Sequence, residues 1–110
     1  MTKKFDVILL EDALDFIESI DLKTRAKIYY NIDKAREVND PKIFKKLTHE
    51  IWEFRTKYNG LQYRLFAFWD KTEKVETLVI STHGIVKKVD KVPLKEIEKA
   101  MKIRSDYFDL

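Results

Sequence analysis

Apolar residues recur at two different spacings along this chain. FDVILL, residues 5–10, is a short apolar run that reads as a strand. Leu10, Leu14 and Ile17 then fall at helical spacing, with Phe16 and Ile20 beside them. The pattern predicts a first helix over roughly Glu11–Ser19, acidic on its outer face. Asp21 stands where an N-cap is wanted for a second helix reaching about Val38. Ile28, Ile32 and Ala35 form its apolar stripe, widened by Leu22, Ala26 and Tyr29. Asn39, Asp40 and Pro41 stop it. Almost no residues separate the two helices, so they are expected to form an antiparallel hairpin whose apolar side needs a cover.

Beyond residue 50 the period changes from helical to alternating. In IWEFRTK, Trp52, Phe54 and Thr56 alternate with Glu53, Arg55 and Lys57, which sorts aromatics and charges onto opposite faces of a strand. YNG, residues 58–60, reads as a turn, and LQYRLFAFW follows as a second strand. Tyr63, Leu65, Ala67 and Trp69 lie on one of its faces, with Gln62, Arg64, Phe66 and Phe68 on the other. A strand apolar on both faces is expected to be central, and Arg64 is then the odd member of its face. DKTEK makes another turn and VETLVIST, residues 75–82, a third strand. HGIVKKVDKV reads as a loop, and Pro93 suits the first turn of a last helix on which Leu94, Ile97, Met101 and Phe108 share a side. The expected order is β-α-α-β-β-β-α. This is an α+β domain spanning residues 1–110, with a small antiparallel sheet of three to four strands packed against the helical hairpin and the C-terminal helix.

Composition narrows the chemistry. A chain of 110 residues, 45% hydrophobic and 13% aromatic, is enough for one core. It has no cysteine, which excludes disulfides, thiolate metal ligands and a thiol nucleophile. His49 and His83 are its two histidines, too few for a dedicated zinc site, so neither metal nor other cofactor is expected. The apolar run near the N-terminus is too short for a leader or a membrane span, and a cytoplasmic protein without membrane contact is the expectation. Charge is unevenly spread. Residues 1–40 carry seven Lys or Arg against nine Asp or Glu, whereas residues 41–110 carry fifteen against ten. A basic C-terminal half suits a polyanionic partner, although an ordinary solvated surface has the same composition.

The strand charges sharpen this. Glu53, Arg55, Lys57 and Arg64 stand among seven aromatic residues within residues 50–70. Charges on strands commonly face water or pair across strands, and Lys57 beside the turn fits that description. Arg64 does not, because a guanidinium between aromatic neighbours on a central strand is costly unless something pairs with it. A planar fork of donors that stays protonated also matches a phosphate. A second basic cluster, Lys87, Lys88 and Lys91, follows His83 and Gly84 in the predicted loop. Arg104, Tyr107 and Phe108 close the last helix, where Tyr107 has an alternative as a cap on the core. His83 likewise reads either as a satisfied loop histidine or as a titrating group.

Taken together and in order, WEFR, QYRLFAF, THGIVKK and the terminal PLKEIEKAMKIRSDY resemble the RelE/ParE superfamily of toxins from type II toxin–antitoxin systems, in particular its HigB-like, phage-derived branch. The resemblance runs over most of the chain and is strongest from Ile51 to Tyr107. It implies a ribosome-dependent endoribonuclease that cuts mRNA without a metal, by attack of the RNA's own 2′-hydroxyl on the adjacent phosphate. The products would be a 2′,3′-cyclic phosphate and a free 5′-hydroxyl. Carried over by position, Arg64 would contact the scissile phosphate, with Arg55 and Lys87 as further cations. Phe66 and Tyr107 would be aromatic contacts for a base, and Lys57, Lys88 and Lys91 would contact the RNA backbone. The general base stays open between Glu53, which would need a raised pKa, His83, and a lysine with a lowered one. The partners implied are mRNA on the ribosome and a helix-turn-helix antitoxin with which the chain would form a hetero-oligomer. A ParE-like inhibitor of DNA gyrase and a non-enzymatic nucleic-acid-binding module are the competing readings.

Overall fold

A computed structural model describes residues 5–48, 50–72, 78–87 and 91–109, with the backbone alone for Leu78 and Ile80. The elements are β1 (Asp6–Leu9), α1 (Glu11–Glu18), α2 (Leu22–Ala35), β2 (Phe44–Lys46), β3 (Trp52–Tyr58), β4 (Leu61–Asp70), β5 (Leu78–Lys87) and α3 (Leu94–Phe108). They build a five-stranded sheet in the order β1-β5-β4-β3-β2. β1 runs parallel to β5, and all other neighbours are antiparallel. The expected α+β class holds, but the sheet has five strands where three to four were expected. The strand absent from the sequence reading is β2, only three residues long, too short to display a period. Among the described residues no helix is long and apolar enough to cross a membrane.

Local chemistry explains most boundaries. Asp21 caps α2 as expected: Thr24 N donates to its Oδ2 at 3.1 Å and Thr24 Oγ1 to its Oδ1 at 2.7 Å. Arg25 then donates to the carbonyls of Ile17, Glu18 and Ile20, covering the open C-terminal end of α1. α2 stops at Ala35 and not near Val38. Arg36 is its C-cap, and the Arg36 side chain reaches instead to the Phe5 carbonyl (2.8 Å) and Asp6 (2.6 Å) at the start of β1. The two helices sit on different strands, α1 over β5 and α2 over β3, so each is covered mainly by the sheet and little by the other.

The Tyr58–Leu61 turn places Asn59 at φ 50° and Gly60 at φ 77°, the left-handed pair that a tight two-residue hairpin needs. β4 is central and buried on both sides, as its composition predicts. One side, with Tyr63, Leu65 and Ala67, joins Phe54, Ile17, Ile28 and Ile32 in the core beneath α1 and α2. The other, with Phe66 and Phe68, packs with Ile51 and with Ala100 of α3.

Two expectations at the C-terminal end are corrected. The third predicted strand does not end at Thr82: β5 continues through His83, Gly84 and Ile85 to Lys87, the first half of the predicted loop. Gly84 is therefore a strand glycine, required by a close approach and not by a turn. A Cβ placed there would lie 2.2 Å from Cδ2 of Phe16. On α3 the side facing the sheet is Ile97, Ala100 and Tyr107, whereas Leu94, Met101 and Phe108 are exposed. Ala100 is small enough to let the helix axis approach Phe66 and Phe68, and Phe108, although exposed, keeps its ring 5.5 Å from that of Phe68.

Candidate functional site

The hairpin register assembles the site. β3 and β4 pair so that Arg55 stands opposite Arg64, Glu53 opposite Phe66 and Lys57 opposite Gln62, while β5 brings Lys87 opposite Gln62 on the far side. Two arginines directly across a ladder repel unless an anion lies between them. Glu53 is that anion. Its Oε1 is 3.1 Å from Nε of Arg64 and its Oε2 3.6 Å from Nε of Arg55, so one carboxylate bridges two guanidinium groups. Arg64 also donates from Nη2 to Oε1 of Gln62 at 2.5 Å, and Arg55 from Nη1 to the Pro41 carbonyl at 3.1 Å.

Exposure divides the cluster. The side chains of Arg64 and Glu53 are 3% and 4% exposed, while Arg55 is 30% exposed and forms its open side. Lys87, at the end of β5, is buried. Burial pushes the Glu53 carboxyl above its ordinary value of 4.5, against the opposing pull of Arg64, Arg55, Lys87 and Lys45 in that order. The Glu53–Arg64 contact is at ion-pair distance without hydrogen-bond alignment between Oε1 and Nε. A buried pair of this kind carries a desolvation cost that imperfect geometry does not fully return.

Lys45 is the member the sequence reading missed. It lies on β2 opposite Glu53 and adds to the positive field on that carboxyl. Its only signal was the basic KIFKK segment, too short to be read as a strand.

The structure brings Glu53, Arg55, Arg64 and Lys87 to one patch, with Phe66 directly across from Glu53 and Lys57 two residues along the same strand face from Arg55. His83 lies under α3. Its Nδ1 is 3.0 Å from Oγ1 of Thr82, its Nε2 is 3.2 Å from Oε1 of Glu96, and its ring is 4.9 Å from that of Phe66. A neutral ring protonated on Nε2 satisfies both contacts, and burial, with Lys99 nearby, lowers its pKa below 6.5. Phe66 is itself fully buried and offers no ring face to a ligand. Tyr107 donates to Oδ2 of Asp70 at 2.6 Å, which pushes the phenol up to about 12, and its ring packs against Phe68. Asp70 is six residues along β4 from Arg64, about 20 Å at strand rise. Lys57 is exposed beside the hairpin turn and Lys91 is exposed ahead of α3. Lys88 lies outside the described residues. Among the described residues, no three of the histidines, aspartates and glutamates gather where they could hold a metal ion.

A bulge explains why His83 shares the face of Phe66. β4 and β5 shift register between Phe66 and Ala67, leaving Thr82 as the extra residue. The Phe66 carbonyl there accepts from the hydroxyl of Ser81 at 3.2 Å, and the Thr82 hydroxyl, which shares its one proton between this carbonyl and Nδ1 of His83, lies 3.3 Å away.

Residues 15–105 match the family described as phage-derived protein Gp49-like (DUF891). The chain belongs to that family. The Gp49-like proteins are toxin-like, of the RelE/HigB type. In this Gp49-like chain the matched span contains the whole Glu53, Arg55, Arg64 and Lys87 patch and leaves out β1 and Tyr107. None of the curated proteins compared matches the chain.

Proposed function

We propose that this Gp49-like protein is the toxin of a type II toxin–antitoxin pair, a HigB-like member of the RelE/ParE superfamily. In this reading it works in the cytoplasm as a metal-independent endoribonuclease on ribosome-bound mRNA, and a helix-turn-helix antitoxin holds it in check. The observation that carries the reading is the single carboxylate, Glu53, held between Arg64 and Arg55 with its pKa raised by burial.

Internal cleavage of RNA needs few parts. A base takes the proton of the 2′-hydroxyl, the 2′-oxygen bonds to phosphorus, and the phosphorus–O5′ bond breaks as the 5′-oxygen takes up a proton. Between those events a pentacoordinate phosphate carries extra negative charge, which fixed cations stabilise. Arg64 and Arg55 are the cations of this proposal, and Lys87 adds charge close enough to bear on Glu53. An incoming phosphate would compete with Glu53 for the two guanidinium groups. Once displaced from them, the carboxylate loses its main stabilisation and becomes a stronger base. That exchange favours Glu53 over His83, whose nitrogens are engaged by Thr82 and Glu96.

The test is incubation of the purified chain with ribosomes translating a defined mRNA, followed by toeprinting and analysis of the new 3′ ends. Cuts within ribosome-occupied codons bearing cyclic phosphate are expected. Replacing Arg64 by Ala should slow them about a hundredfold or more, the cost of one fixed transition-state contact. An intact mRNA together with inhibition of DNA gyrase would select the gyrase reading instead.

A further inference from the structure

The sheet face that carries α1 and α2 is left uncovered at one end, where β2, the start of β3 and the end of β4 meet. Phe44, Trp52 and Trp69 form its floor, each half-buried. Phe44 stacks on Trp52 at 4.9 Å, and Trp52 meets Trp69 edge-on at 5.8 Å and 90°. A groove of about 540 Å³ lies over these rings. It shares Lys46, Trp52, Trp69 and Lys71 with a second groove of about 460 Å³ that continues round the sheet end to Arg104.

The charges along it are one-sided. Asp40 accepts a hydrogen bond from the backbone of Lys42 at 2.9 Å, and Glu50 pairs with Arg104 at 3.2 Å. Glu50 is thus paired with a cation, while Asp40 keeps its charge and is outnumbered on the groove by Lys45, Lys46 and Lys71. Lys46 and Lys71 are exposed, and among the described residues neither lies within ion-pair distance of a carboxylate. Lys71 instead stands with its Nζ 5.5 Å over the ring of Trp69.

Flat aromatic walls flanked by unneutralised ammonium groups suit a ligand that is itself flat and anionic. We propose that this groove binds an unpaired nucleotide of single-stranded RNA, its base packed on Trp69 and Trp52 and its phosphate on Lys46 and Lys71. The site is separate from the Glu53 patch, since the Trp52 and Trp69 side chains project from the opposite face of the sheet. It deepens the RNA-directed reading above by giving the substrate a second hold, outside the reacting phosphate.

The chain has two tryptophans, Trp52 and Trp69, both in this groove, so tryptophan fluorescence excited at the red edge, where its five tyrosines do not absorb, reports on the groove. The experiment titrates the full chain with a short 2′-O-methyl oligouridine, which cannot be cut by 2′-hydroxyl attack. Saturable quenching is expected, weakening steeply with salt and by about tenfold or more in the Lys46→Glu, Lys71→Glu double variant. Both lysines are exposed, so the double variant should keep its fold, checked by circular dichroism. Absence of saturable quenching, quenching unchanged in the double variant, or equal quenching by an oligoglutamate peptide would each overturn the proposal. Cleavage on ribosomes is scored separately: quenching without cleavage rejects the nuclease and keeps the groove, and cleavage without quenching does the reverse.

Discussion

Arg55 and Arg64 are direct cross-strand partners, and the ladder tolerates two guanidinium groups face to face because Glu53 contacts both. Removing that carboxylate should therefore do more than remove a base. Glu53→Ala takes the Glu53 carboxylate away from buried Arg64 and from Arg55, and the expected loss is about 3–5 kcal/mol of folding stability, read from urea midpoints. Glu53→Gln keeps the shape and isolates the chemistry. Because burial raises the Glu53 pKa above 4.5, the proton on the folded carboxyl stabilises the fold at low pH. That contribution is lost as pH rises through the folded value. Catalysis runs the other way, since the base must be ionised. Single-turnover cleavage should rise with pH through a limb lying above the ordinary carboxylate range, and Glu53→Gln should lack that limb.

His83 should prove structural. Its neutral ring links Thr82 to Glu96 and so ties α3 to β5. Burial depresses its pKa, so its contribution to stability is present above the ordinary value of 6.5 and is lost as pH falls through the lower folded value. His83→Gln should cost about 1 kcal/mol at neutral pH and flatten the fall in stability below pH 6.5, with cleavage changed less than severalfold. A hundredfold loss of cleavage with normal stability would instead return His83 to the reaction.

Gly84 and Phe16 should behave as a coupled pair. A Cβ at position 84 meets the Phe16 ring at 2.2 Å, so Gly84→Ala should destabilise by about 1–3 kcal/mol. Adding Phe16→Leu should recover part of that loss, an interaction that a double-mutant cycle measures directly. Strict additivity would show that the contact does not set the distance between α1 and β5.

Sequence patterns made the hairpin of β3 and β4 legible because nothing interrupts their alternation: Trp52, Phe54 and Thr56 on one face, Glu53 and Arg55 on the other, with Asn59 and Gly60 to turn the chain. The same alternation placed Arg64 beside Phe66, and the polar cap at Asp21 placed α2. Three features escaped for identifiable reasons. β2 is shorter than any detectable period, and Lys45 was lost with it. The bulge at Thr82 breaks the alternation of β5 just before a glycine, so a continuous strand resembled a strand followed by a loop. On α3 the contact residue at the centre is an alanine, and a stripe judged by bulk points to Met101 instead of Ala100. Burial of Phe66 and the Tyr107–Asp70 bond are tertiary outcomes with no local signature.

The central claim is that Glu53 and the two arginines serve an attack from within the RNA, with no activated water. On programmed ribosomes, an mRNA carrying one 2′-deoxy sugar immediately 5′ of the scissile phosphate retains its phosphate contacts and its bases, and so should occupy the site normally. The account predicts that this mRNA remains uncut while the all-ribose message is cleaved to a cyclic phosphate. Cleavage of the deoxy-substituted message at an undiminished rate would contradict it.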